Sequence, residues 1–426
     1  MNVHDSEQLA QLLKDSGYTR TDNAKEADLI IVNTCSIRDK AEQKVYSQLG
    51  RYRELKKVKP GLMLGVCGCV AQQQGERFIE KIPWLDLVFG THNIHRLPEL
   101  ISRVEETGRP VVETGFHETV SSIGILALPE KGSVSAFVTI MQGCDNYCAF
   151  CVVPYLRGRE ESRKFHDILA EVRTLAAHGV KEVMLLGQNV NSYGKSLGNG
   201  HSFSELLRAI GEIEGIDRIR FITSHPKDLT DDIIDCFRSV KALCGSIHLP
   251  VQSGADAVLA RMNRRYASAD YLDCVRKLRE ACPDIAISSD IIVGFPGETE
   301  QDYQKTLDLM EKVRFDTLFS FQYSERKGTA AVGLDGKVNP DEKRKRLIEL
   351  QDLQDQHTQE KNDAMVGKTM EVLVEGTSRN TSRDVMGRTR TNKIVNFAGG
   401  KNLLGKTVRV RIVEAFLHSL RGEMLD

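Results

Sequence analysis

The sequence predicts an α/β protein in three successive parts: a parallel α/β domain, an open, partial (βα)6 barrel, and a small antiparallel β-barrel of the OB-like kind. Three observations predict this. Short apolar runs alternate with helical stretches up to about residue 115, and the alternation resumes with a longer repeat from Ser135 to Tyr323. The remaining stretch beyond a charged helix reads as short strands and turns. The expected boundaries are residues 1–118, 130–360 and 363–426.

In the first part, Asp5 or Ser6 is expected to cap a helix whose Leu9, Leu12 and Leu13 form an apolar stripe ending at Gly17. Strands are expected at 29–32, 63–66, 87–89 and 111–112, with a helix over 39–58. The chain opens straight into a helix, where such a domain normally opens with a strand. In the second part, strands are expected at 137–140, 182–186, 218–223, 246–249, 286–293 and 318–322. Six units fall short of a full eight-unit barrel, and chemistry is expected at the carboxyl ends of the strands. A charged helix over 341–363 leads to strands at 370–374, 394–397 and 407–413. In the last of these, Val408, Val410 and Ile412 should point inward and Arg409 and Arg411 outward.

The composition is that of an ordinary globular protein, 41% hydrophobic and 27% charged. No apolar run approaches the ~20 residues of a membrane span, and the opening residues lack the basic-then-apolar order of a leader. Ten cysteines in a chain this long suit a reducing compartment, so a cytoplasmic setting is expected; a monomer is expected separately. The net charge of −1 hides an asymmetry: residues 363–426 carry 11 Lys+Arg against 7 Asp+Glu. A basic terminal barrel on an acidic body points to nucleic acid, with an ordinary solvated strand face as the alternative.

The most informative stretch is Cys144-Asp145-Asn146-Tyr147-Cys148-Ala149-Phe150-Cys151, a C-x3-C-x2-C loop directly after the first barrel strand. Three thiolates on one loop can hold three corners of a [4Fe–4S] cube. The fourth iron is then free to bind a small molecule through an amine and a carboxylate, as S-adenosylmethionine offers. A structural zinc site or three core cysteines remain the alternatives, although zinc normally takes a fourth Cys or His and none lies close in sequence.

The loop resembles that of radical S-adenosylmethionine methylthiotransferases. So do the strings Asn33-Thr34-Cys35-Ser36-Ile37-Arg38, Gly68-Cys69-Val70-Ala71, Ser224-His225-Pro226, Leu249-Pro250-Val251-Gln252-Ser253-Gly254 and Gly294-Phe295-Pro296-Gly297-Glu298-Thr299. The terminal barrel is similar to the TRAM domain of that family. The strings at 33–41 and 152–155 look most like the bacterial members that add sulfur and a methyl group at C2 of isopentenyl-adenosine beside the tRNA anticodon. Sister activities on a ribosomal-protein aspartate or on threonylcarbamoyl-adenosine are the alternatives, and a non-catalytic iron–sulfur RNA-binding protein is a more distant one.

The resemblance implies two [4Fe–4S] clusters, S-adenosylmethionine, an isopentenylated tRNA and an external electron donor. It places the radical cluster on Cys144, Cys148 and Cys151, and a sulfur-supplying cluster on Cys35 and Cys69 with a third cysteine of the N-terminal domain. That third cysteine would precede Met1, so the native chain is expected to start earlier; Cys67 is the alternative ligand, with a core role expected for it. Gly187, Gln188 and Asn189 would meet the methionine amino group, Gln252 and Ser253 the ribose, and the backbone from Asp290 to Gly294 the adenine. Arg157, Arg159, Arg163 and Lys164 would meet a cofactor carboxylate or RNA phosphate, or simply start a solvated helix. His225 is read as a satisfied polar residue, and Cys236, Cys244, Cys274 and Cys282 as small core residues.

Overall fold

A computed structural model describes residues 1–35, 39–116, 125–130, 132–198, 200–378, 381 and 383–425, without the side chains of residues 39–43. Ser36, Ile37 and Arg38 therefore lie outside the described residues. The chain divides into two compact units. One comprises Met1–Pro129 with Gln142–Asp145 and Val153–Arg163; the other comprises the remainder, including the whole terminal barrel.

The first unit holds a four-stranded parallel sheet in the order β1 (Leu29–Thr34), β2 (Met63–Gly68), β3 (Leu87–Phe89), β4 (Val111–Glu113). Its strands are apolar on both faces because each face is covered. Leu64, Val66 and Val88 belong to one core with Leu49 and Phe78; Cys67, Leu87 and Phe89 belong to the other with Leu97 and Leu100. The opening helix runs Asn2–Asp15, so Asp5 and Ser6 lie inside its first turns instead of capping it. The Ser6 hydroxyl donates to the Asn2 carbonyl, as a helix-interior serine does. Leu9, Leu12 and Leu13 pack on the sheet as their spacing requires.

The second unit holds six parallel strands: β5 (Ser135–Thr139), β6 (Glu182–Leu186) and β7 (Arg218–Phe221), then β8 (Ser246–His248), β9 (Ala286–Val293) and β10 (Thr317–Gln322). A bridge between Ile219 and Leu243 carries the first set toward the second. Among the described residues no pairing joins β5 to β10, so the barrel stays open. Its outer face and the surrounding helices share one apolar core, from Val138 and Ile168 round to Leu309 and Phe315. The helix Pro340–Asp363 follows, and the chain ends in a closed barrel ordered β11 (Thr369–Thr377), β12 (Asp384–Thr389), β13 (Ile394–Ala398), β15 (Ser419–Met424), β14 (Thr407–Phe416). Val410 and Ile412 are buried and Arg409 and Arg411 exposed.

Arginines tie the terminal barrel to the amino ends of the β7 and β8 region. The buried Arg218 donates to the Arg388 carbonyl at 2.6 Å, and Arg220 donates to Thr389 O at 2.7 Å and Arg390 O at 3.1 Å. In return Arg390 donates to the carbonyls of Lys241 and Leu243. Each is a charged donor satisfying a carbonyl that would otherwise be left without water. No helix among the described residues is long and apolar enough to cross a membrane.

Candidate active site

The cysteine loop follows the carboxyl end of β5 and passes from one unit to the other between Asp145 and Asn146. Cys144, Cys148 and Cys151 are all half-buried and in no disulfide. The Cys148 sulfur accepts from the Arg264 guanidinium at 3.3 Å. Arg264 also donates to Tyr266 and to the Pro250 carbonyl. Burial works against its charge, but Tyr266 and Cys148 more than offset this and hold it protonated. The guanidinium therefore fixes where the Cys148 sulfur points. Among the described residues no three His, Cys, Asp or Glu side chains converge as they would on a single metal ion. A cube instead spreads its thiolates over separate irons.

Four buried polar atoms follow the carboxyl ends of β6, β7 and β8 with no protein partner: Asn189 Oδ1, Ser224 Oγ, His225 Nε2 and Gln252 Oε1. Each orphan costs about 1–3 kcal/mol, so four in one region mark a ligand site. The neighbouring groups hold them in place. Asn189 Nδ2 donates to Asp228 at 2.7 Å, Lys195 and Lys227 flank Asp228, and Lys227 Nζ donates to Asn146 of the cysteine loop. Asn191 exchanges two hydrogen bonds with the His225 backbone. Gln252 sits at φ 75°, with its N–H on Asp290 O and its carbonyl accepting from Ile292. Gly187 is forced, since any Cβ there would run into Met141. Gln188 is half-buried beside it.

Several expected roles change. His225 is not fully satisfied. Its Nδ1 accepts from the Lys227 N–H, which leaves the neutral ring's proton on the unpartnered Nε2. Ser253 turns inward, where its hydroxyl accepts from Ala255 N and meets Thr306. It therefore shapes the turn and does not face a ribose. The Asp290 carbonyl is already bonded to Gln252; what the residue offers is its carboxylate, 3.5 Å from His248 Nε2. Arg157 is buried in an ion pair with Asp5 at 2.5 Å and does not reach for RNA phosphate. Arg159 is exposed and pairs with Asp145. Arg163 is half-buried, and the exposed Lys164 precedes the helix Phe165–Ala177. Arg264 and Asp228, central to the geometry, were missing from the sequence reading; isolated charges in helical or loop stretches carry no spacing signal.

In the other unit, Thr34 and Gly68 are register partners, so Cys35 and Cys69 leave adjacent strands at one level. Gly68 has φ 89°, and a side chain there would strike the Thr34 carbonyl. The Thr34 hydroxyl accepts from Val70 and Ala71, fixing the start of the helix Cys69–Gln74. Cys69 thus begins a helix and does not share a strand with Cys67. Cys67 is fully buried, and burial pushes its thiol well above the ordinary value, as befits a core residue. Cys236 and Cys244 are buried, and Cys274 and Cys282 are half-buried against the same core.

Burial, then the charges of Arg264, Lys227, Lys195 and Arg265, push the His225 imidazole down to about 2. Its folded pKa lies below the unfolded value, so acid favours unfolding. The contribution is intact above about pH 6.5 and falls as pH drops from there toward 2, by about 2 kcal/mol at pH 5. Stability of the protein without cofactors, followed by urea unfolding at pH 7 and pH 5, should fall less in His225→Gln than in the parent. An equal fall would contradict this.

Three family models match the chain. The Radical SAM superfamily matches residues 138–310, Uncharacterized protein family UPF0004 residues 1–90, and the TRAM domain residues 363–425. A tRNA-2-methylthio-N(6)-dimethylallyladenosine synthase of Syntrophus aciditrophicus (strain SB) is 60% identical, covering 100% of this chain and 92% of the relative. One from Geobacter sulfurreducens is 54% identical, covering 100% and 95%. Among solved structures, the radical S-adenosylmethionine methyltransferase TsrM from Kitasatospora setae superposes with a TM-score of 0.57 at 16% identity, over 75% of this chain and 70% of that one. At that identity the likeness concerns the fold alone.

Proposed function

The chain belongs to the tRNA-2-methylthio-N(6)-dimethylallyladenosine synthase family of radical S-adenosylmethionine enzymes, and from that membership we propose how its own residues carry the activity. It is a tRNA methylthiotransferase that uses an iron–sulfur cluster and S-adenosylmethionine. Its target is C2 of isopentenyl-adenosine beside the anticodon. Cys144, Cys148 and Cys151 would hold the radical cluster, and the Arg264 guanidinium, donating to the Cys148 sulfur, orients that ligand. When bound, the cluster supplies the electron that cleaves S-adenosylmethionine, giving access to a C–H bond that no side chain could deprotonate.

The observation that carries this reading is the set of orphaned polar atoms at the strand ends. Two are amide oxygens, on Asn189 and Gln252, that need donors; one is the His225 N–H, which needs an acceptor. An amino-acid ammonium, a carboxylate and ribose hydroxyls are a complementary set. Gly187 leaves room for Met141 and so lets the turn before Asn189 form, Gln188 lines the same turn, and Ser253 holds the turn that presents Gln252. Cys35 and Cys69 would supply two of the three thiolates of a second [4Fe–4S] cluster in the N-terminal domain. The basic outer face of the terminal barrel takes the tRNA through its phosphates. Division at residues 1–118, 130–360 and 363–426, a monomer, an external electron donor and a cytoplasmic setting, which ten cysteines outside any disulfide suit, complete the proposal.

The ligand sets are tested by anaerobic reconstitution and iron analysis. Replacing Cys35 and Cys69 together should remove roughly half the iron, end methylthiolation and leave 5′-deoxyadenosine formation in place. Unchanged iron would overturn the second site.

A further inference from the structure

Alternate residues of β6 to β10 line a small cavity in the barrel lumen, among them Met184, Arg220, Ser246, Ser288 and Thr317. Most of its lining is polar. At the amino ends of the strands the lumen is closed by Thr391, Asn392 and Lys393 of the terminal barrel, with Lys393 3.6 Å from Asp316. The cysteine loop and the orphaned polar atoms lie at the opposite, carboxyl ends of the strands, which we take as the entrance.

Near that entrance the lining changes character. Ile222 and Phe319 are large apolar side chains left 37% and 46% exposed. Ile222 shares the lumen wall with His248. Phe319 lies two residues beyond Thr317, and so on the same face, and it is the register partner of Asp290. Between them stands His248, edge-on to Phe319 with ring centroids 5.8 Å apart. Its Nδ1 lies 3.0 Å from Ser288 Oγ and its Nε2 3.5 Å from the Asp290 carboxylate, so the ring is a fixed wall. Exposed apolar side chains at the edge of a mostly polar cavity mark the seat of an apolar group.

We propose that Ile222, Phe319 and the face of His248 receive the N6-dimethylallyl-adenine base, with the hydrocarbon against Ile222 and Phe319, and so set the preference for prenylated tRNA. The inference rests on the tRNA reading above. A branched five-carbon chain and a flat ring need just such an apolar shelf beside an aromatic edge. A bare adenine would leave both side chains in water. Each methylene held in an apolar pocket is worth about 10-fold or more in discrimination.

The test uses the full chain, anaerobically reconstituted, with prenylated and unprenylated versions of one tRNA. Two quantities are read: KM and kcat for methylthiolation, and the Kd of each tRNA measured without S-adenosylmethionine. Phe319→Ala should raise KM and Kd for the prenylated tRNA about 10-fold or more, leaving Kd for the unprenylated one unchanged. Phe319→Leu, which keeps an apolar side chain, should recover most of the preference. If both variants retain the parent's ratio of affinities, the pocket assignment is wrong. If the parent binds the prenylated tRNA preferentially but methylthiolates neither, the activity reading fails while the Kd comparison still decides the pocket.

Discussion

Cys148→Ala protein, reconstituted anaerobically and given S-adenosylmethionine with a strong reductant, should form 5′-deoxyadenosine at least about 100-fold more slowly than the parent. Even partners that merely orient a metal ligand are worth 10–100-fold, and Cys148 is placed as a ligand itself. The loss has a structural signature besides rate: the variant should lack the iron and the visible absorption of one cluster. Cys274→Ala, which removes a half-buried thiol packed on the barrel core, should leave iron content unchanged. Cluster assembly at full stoichiometry in Cys148→Ala would remove the residue from the ligand set.

Arg220→Met should destabilise the second unit by about 3–5 kcal/mol. Arg220 and Glu182 form an ion pair at 2.9 Å with side chains 2% and 5% exposed. Removing the cation strands a buried carboxylate and also orphans the Ser246 contact and the carbonyls of Thr389 and Arg390. Because the penalty comes mostly from the uncompensated charge, Arg220→Met combined with Glu182→Leu should recover much of it. The check is the shift of the urea midpoint for the single and double variants. A double variant no more stable than the single one would locate the loss in the carbonyl contacts to the terminal barrel.

The sequence was a good guide wherever periodicity or spacing carried the signal. The six strands from Ser135 to Gln322 and the inward Val410 and Ile412 follow from alternation alone. Two strands of the terminal barrel, Asp384–Thr389 and Ser419–Met424, escaped because Gly387 and Gly422 interrupt their strand character. Both glycines are required there, since a side chain on Gly387 would meet the Leu373 carbonyl and one on Gly422 would meet Val410. The helix start at Asn2 was misplaced because Asp5 looked like a cap, while its carboxylate is held by Arg157, 152 residues away. Long-range pairs of this kind leave no local trace. For the same reason the site's cysteines were legible from spacing, whereas Arg264, Asp228 and the orphaned His225 N–H emerge only when distant strand ends are brought together.

The most direct measurement is mass spectrometry of the nucleosides from isopentenylated tRNA treated anaerobically with reconstituted protein, reductant and S-adenosylmethionine carrying a deuterated methyl group. The account predicts a 2-methylthio-N6-dimethylallyladenosine peak that carries the label, formed together with 5′-deoxyadenosine. Formation of 5′-deoxyadenosine without any methylthiolated nucleoside, in protein shown to hold its full iron, would contradict it.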